Sequence, residues 1–254
     1  MRVPRLAAVV GLLLAVAGCS GGTTDAAGSD DTTLTVLAAA SLTETFTELE
    51  RIYEKDHAGV DVRLAFDSST TLAGQVVEGA PGDVLATADA RTMRTATDAG
   101  ATAEEPTLFA TNTMALVVPA DNPAGIETFA DLDQDGVSYV ACAESAPCGA
   151  LARSLLDLNH VEAAPKSFEI NVKAVLTKVE LDEADAGLVY ATDAASAGDM
   201  VDTIAIPNSS EAVTSHLVAP LQQSEHGDLA REWVALTVSE EGQDVLREAG
   251  FGTP

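Results

Sequence analysis

Positive charge is the first thing this chain lacks: across 254 residues, 13 Lys and Arg face 40 Asp and Glu, for a formal net charge of −27. Polyphosphate backbones need clustered cations, so no nucleic-acid partner is expected. Aromatic residues make up 4 % and Trp233 is the one tryptophan, which leaves little for stacking on sugars. The histidines, His57, His160, His216 and His226, are scattered with no paired spacing, and the three cysteines do not complete a zinc-ligand pattern, so no direct protein–metal ligand is expected. There is no Walker loop, no Gly-x-Gly-x-x-Gly and no Gly-x-Ser-x-Gly elbow. Nucleotide binding and the common serine-hydrolase arrangement therefore have no motif to rest on.

What is present begins at the N-terminus. "MRVPRLAAVVGLLLAVAGC" carries Arg2 and Arg5, an apolar run from Leu6 to about Val16, then small residues up to Cys19. That is the pattern of an export signal, and the run is too short for a comfortable membrane span. Its end, "VAGC", resembles the lipobox of bacterial lipoproteins, which implies a signal peptide over 1–18 and a lipid on Cys19. The "SGGTTDAAGSDD" that follows reads as an unstructured tether, 19–32. The expected location is the extracytoplasmic face of a bacterial cell membrane.

With Cys19 given to lipid, Cys142 and Cys148 remain in an oxidising compartment, where pairing is the default. A structural disulfide is the leading reading; the spacing is too long for a Cys-x-x-Cys redox pair. So short a loop gains little closure entropy, so its purpose would be to shape a turn.

Short apolar runs alternate with amphipathic stretches. "TLTVLAAA" from Thr33 reads as a buried strand that feeds a helix with Leu42, Phe46, Leu49 and Tyr53 in register. Further strands are expected at "VDVRLAF", "DVLATAD", "MALVVP", "VSYVAC", "GLVY" and "DTIAIP". Helices are expected from Thr71 to Gly79, from Ala90 to about Ala99 before Gly100, with Leu151, Leu155 and Leu158 on one face, with Val172, Val175, Leu176 and Val179 on another, and with Leu229, Trp233 and Leu236 near the end. Strand and helix in turn predict an α/β fold with parallel sheets.

"DLDQDG" at Asp131 matches the opening of a calcium loop, but Cys142 stands where the bidentate Glu is needed, so a solvated turn is the better reading. A different arrangement recurs: a strand, a small hydroxyl residue or turn, then a helix start, at "AAASLTETF", "AFDSSTTLAG", "CAESAPCGAL" and "EINVKAVL". Helix N-termini present unpaired N–H groups and partial positive charge, and several converging at strand carboxyl ends make an anion site.

At these residues the chain resembles the molybdate-binding proteins of ABC-type importers. The match runs from about Thr33 to the C-terminus and rests on "AAASLTETF", "FDSSTTLAGQVVEGAPGDVLATAD", "TNTMALVVP", "APCG" and "NVKAVLTKVELDEADAGLVYATDA". The resemblance implies a two-lobed, type II periplasmic-binding-protein-like α/β fold, each lobe a mainly parallel sheet flanked by helices with the ligand cleft between them. Lobe I would comprise 33–111 and 213–254, and lobe II 112–212. It implies oxyanion contacts from the hydroxyls and N–H groups of Ser41 and Ser69, the N–H groups of Cys148 and Val172, and the hydroxyl of Tyr190. Molybdate, and tungstate with it, would be the ligand, delivered to a membrane permease; no enzyme activity, no cofactor and a monomer are expected. The chain departs from the family pattern at Cys148, where alanine is common, and at Asp67 and Thr70.

The chemistry of the residues agrees. A fully deprotonated tetrahedral dianion offers acceptors only, and serine, tyrosine and amide groups donate. None of the matched positions is Arg or Lys, so dipoles and charge-assisted hydrogen bonds would carry the charge. Asp67 is a carboxylate where a dianion should sit, and must point away. Another oxyanion such as sulfate is the alternative ligand, and a secreted hydrolase using Ser41 or Ser69 the distant alternative.

Overall fold

A computed structural model describes residues 32–254. The segments read as export signal and tether, with Cys19, lie outside the described residues, save Thr32, which opens the first strand. In chain order the elements are β1 (Thr32–Ala39), α1 (Thr43–Asp56), β2 (Val60–Asp67), α2 (Ser69–Val77), β3 (Val84–Thr87), α3 (Ala90–Asp98), β4 (Thr107–Asn112) and β5 (Met114–Pro119). They continue with β6 (Tyr139–Cys142), α4 (Pro147–Leu158), β7 (Ser167–Glu169), α5 (Val172–Glu180), β8 (Ala186–Tyr190), α6 (Ala191–Ala197), β9 (Val201–Ile204), β10 (Thr214–Pro220), α7 (Gly227–Val238) and α8 (Glu240–Glu248).

The strands form two sheets, ordered β2-β1-β3-β10-β4 and β7-β6-β8-β5-β9. In the first, β10 runs against β3 and β4 while β1 is parallel to β2 and β3. In the second, β5 runs against β8 and β9 while β6 is parallel to β7 and β8. The sheets are thus mixed, with one reversed strand in each. The reason is connectivity. Parallel neighbours need a crossover, here a helix, whereas β5 and β10 arrive directly from the other sheet. Only Thr113 separates β4 from β5, and the return runs from Ile204 to Thr214.

Alternation of burial explains the helices. Phe46, Leu49, Ile52 and Tyr53 of α1 are buried, and Val172, Val175, Leu176 and Val179 all face inward from α5. In α4 the inward face is Cys148, Ala152, Leu155 and Leu156, while Leu158, placed on the apolar face by the sequence pattern, lies in the last turn and is exposed. Trp233 is fully buried, with ring centroids 5.6 Å from Phe46 and 5.4 Å from Tyr53. It is a core residue and presents no face to a ligand. Two acids of "DLDQDG" fasten backbone: Asp131 accepts the N–H groups of Glu127 and Thr128, and Asp133 those of Glu162 and Ala163.

Candidate functional site

The chain passes from strand to helix at one end of each sheet, and these passages face each other. β1 runs into a 3-10 turn, Ala40–Leu42, that holds Ser41 ahead of α1. Ser69 is the first residue of α2, and Val172 the first of α5. Pro147 opens α4, as suits a position whose N–H has no helical partner, so Cys148 supplies that helix's first N–H. Tyr190 ends β8 and caps α6. Ser41, Ser69, Cys148, Val172 and Tyr190 all line one cavity, together with Asp67 and Asn171. The empty space there, about 210 Å³, includes space open to solvent, and among the described residues no Lys or Arg lines it. At its centre a water-sized sphere has about 10 Å³ to move in, far below the ~300–1,000 Å³ of sites for drug-sized ligands, so only a small ligand can enter.

The cavity is rich in donors. First-turn N–H groups have no intrahelical acceptor, and neither α2 nor α4 has a side-chain cap. Ser69 does not cap its own helix; its Oγ accepts the N–H of Ala88 at 2.9 Å, which leaves the hydroxyl proton free to be donated elsewhere. The Tyr190 hydroxyl is buried and has no hydrogen-bond partner among the described residues. Burial first, then the charges of Asp193 and Asp89, raise its pKa well above 10, so it stays a protonated donor. Ser41 Oγ lies 3.2 Å from Nε2 of His216, a residue of β10 that the sequence pattern does not connect with the site.

Asp67 also lines the cavity, and its Oδ1 is engaged: the Ser68 N–H donates to it at 2.6 Å and Asn171 Nδ2 lies 3.4 Å away. Asn171 belongs to the segment that opens α5, so this contact spans the two sheets' halves. Others do the same. Thr70 Oγ1 and an Arg91 N–H both donate to the Ser145 carbonyl, at 2.6 and 2.8 Å. Lys173 Nζ lies 2.7 Å from Glu44 Oε1 on α1 and 2.9 Å from Oδ1 of the buried Asp193, the latter off the hydrogen-bond direction.

Burial pushes the Asp193 carboxyl up to about 6, against the pull of Lys173. Its folded pKa then exceeds the ordinary 3.8, so the folded protein binds the extra proton between those values. Asp193's contribution to stability is present below about 3.8 and is lost as pH rises through about 6, the reverse of a well-paired carboxylate. Asp193→Asn is expected to flatten the melting temperature across that window; an unchanged slope would refute the assignment.

Cys142 and Cys148 are bonded, as expected. The bond ties the end of β6 to Cys148, which lines the cavity, across the turn that Ala146 N–H closes onto the Ala143 carbonyl at 2.9 Å. Replacing both cysteines by alanine is expected to lower oxyanion affinity about tenfold, because a preorganised donor becomes mobile, and to cost less in folding stability, about 1 kcal/mol or below, since so short a loop gains little closure entropy. Unchanged affinity by calorimetry with a lower melting point would leave the bond as a staple only.

The family model for bacterial extracellular solute-binding proteins matches residues 34–252. The chain belongs to that family. The molybdate-binding protein ModA of Mycobacterium tuberculosis is 39% identical to this solute-binding protein over 221 residues, 87% of this chain and 85% of its own. Among solved structures, the substrate binding domain of a putative molybdenum ABC transporter from Clostridium difficile matches with a TM-score of 0.65 at 25% identity, over 88% of this chain and 99% of that one. The sulfate-binding protein SubI from M. tuberculosis matches with a TM-score of 0.76 at 16% identity, over 87% of this chain and 86% of that one, a likeness of fold. The architecture of this solute-binding protein is the type II periplasmic-binding-protein fold.

Proposed function

We propose that this solute-binding protein is an extracytoplasmic receptor that binds molybdate, and tungstate with it, and hands the oxyanion to the permease of an ABC importer. The observation that carries the reading is the convergence of Ser41, Ser69, Cys148, Val172 and Tyr190 on one small cavity that no Lys or Arg lines. A tetrahedral dianion brings acceptors only, and these groups bring donors: the Ser69 hydroxyl, whose oxygen already accepts the Ala88 N–H, the Ser41 hydroxyl, the Tyr190 phenol, and helix-start amides. Identity to a molybdate-binding relative over most of both chains supports the choice of ligand.

The chemistry of capture follows from the chain path. Ser41 and Ser69 stand on the half built from β1 to β4 with β10, which we take as lobe I, 33–111 and 213–254. Cys148, Val172 and Tyr190 stand on the half taken as lobe II, 112–212. An ion bound by both halves holds them together, and the Lys173–Glu44 and Thr70–Ser145 contacts add to the closed form. Binding then shifts a hinge equilibrium about the β4–β5 and β9–β10 crossings. A lipid on Cys19 would keep the receptor beside the permease.

Hydrolysis is disfavoured on chemical grounds. The Ser41–His216 pair looks like a nucleophile and base, but burial pushes His216 down to about 3 and its Nδ1 has no partner to orient it. Such a histidine takes no proton from serine at neutral pH. Titration calorimetry with molybdate, tungstate, sulfate and phosphate tests the proposal. Molybdate and tungstate are expected to bind with similar affinity and to compact the protein in solution scattering, and sulfate and phosphate to bind far more weakly. Binding of sulfate without molybdate would overturn it.

A further inference from the structure

His216 is fully buried in β10, far in sequence from Ser41, whose Oγ lies 3.2 Å from its Nε2. The rings of Phe109, Tyr190 and Phe251 meet it edge to face, with centroids at 6.1, 6.0 and 5.3 Å. Its other nitrogen, Nδ1, has no hydrogen-bond partner among the described residues. A neutral imidazole carries one N–H, and its position decides which way the Ser41 contact runs. Were the proton on Nδ1, a buried N–H would be left unpaired, the costlier kind of orphan. The Ser41 proton would also be spent on Nε2, and a bare lone pair would face the bound anion.

We infer that His216 is a positioning residue for the ligand: its Nε2–H donates to Ser41 Oγ, which turns the single hydroxyl proton of Ser41 toward the oxyanion. Ser69 is arranged the same way by a group with no tautomers, since the backbone N–H of Ala88 fills its lone pair at 2.9 Å. Both serines thus reach the cavity with an acceptor site filled and the proton free. Burial keeps His216 neutral, with its pKa pushed down to about 3, so the arrangement holds throughout the pH range in which the oxyanion is deprotonated.

The inference rests on Ser41 being an oxyanion ligand, and the test separates the two. Molybdate affinity is measured by calorimetry for Ser41→Ala, His216→Met, the double variant, and His216→Gln, which keeps an N–H donor of similar reach. Ser41→Ala is expected to lose at least about tenfold, His216→Met about tenfold, the double variant no more than Ser41→Ala alone, and His216→Gln to recover most of the loss. Independent, additive losses would make His216 structural and overturn the inference while leaving Ser41 a ligand; no effect of Ser41→Ala would overturn both. Nitrogen NMR of the imidazoles in the unsubstituted protein, assigned by the signal missing from His216→Gln, is expected to give the Nε2–H tautomer. The Nδ1–H tautomer would overturn the inference whatever the variants do.

Discussion

Gly149→Ala is expected to abolish tight oxyanion binding, with a loss of at least about 100-fold and a destabilisation of about 1–3 kcal/mol from overpacking. A Cβ at Gly149 would lie 2.0 Å from the Ala143 carbonyl oxygen and 2.6 Å from that of Cys142. Neither oxygen is free to move. Cys142 is registered against Glu169 in the sheet, and the Ala143 N–H donates to the Glu169 carbonyl at 2.8 Å. The start of α4 must therefore withdraw, and the N–H of Cys148 goes with it. Melting curves and calorimetry check the two halves of the expectation. A Gly149→Ala protein that binds molybdate as the parent does would remove the Cys148 amide from the ligand set.

Tyr190→Phe separates affinity from stability. The phenol makes no hydrogen bond among the described residues, so its loss is expected to leave folding stability within about 0.5 kcal/mol, because no pairing is broken. The same change removes one donor to a doubly charged acceptor, a bond of about 1.5–3 kcal/mol, which is roughly 10- to 100-fold in affinity. Equilibrium denaturation of the ligand-free protein and calorimetry with molybdate give the two numbers. Parallel losses in both would mean that Tyr190 serves packing, and that its hydroxyl faces no ligand.

Most of the strand and helix pattern was legible because the elements have clean burial. β5, β6 and β8 are buried at every position, and continuous apolar runs announce them. β4 was not legible: "TLFATN" mixes exposed Leu108 with buried Asn112, so neither period stands out. β10 hides for a related reason, since "TSHLVAP" turns Thr214 and His216 inward and looks polar. The reversed direction of β5 and β10 was beyond reach as well, because direction depends on which sheet a strand enters. For the site, the strand-to-helix passages could be read in series, the five residues themselves came only with the family resemblance, and all five line one cavity. His216 could not be read that way. Nothing local marks it, and only the pairing of β10 beside β3 and β4 carries it to Ser41.

The placing of β10 also bears on how the chain matures. All five strands of the second sheet have been made once Ile204 has emerged, so that half is complete while the last part of the chain is still being synthesised or exported. The first sheet cannot close until Thr214–Pro220 slots between β3 and β4, and the Thr111–Gly252 pairing comes later still. A chain stalled before β10 would therefore present a finished half and an unfinished one, with β3 offering an unpaired edge and β4 without its strand partner. The half that begins first is the last to be finished.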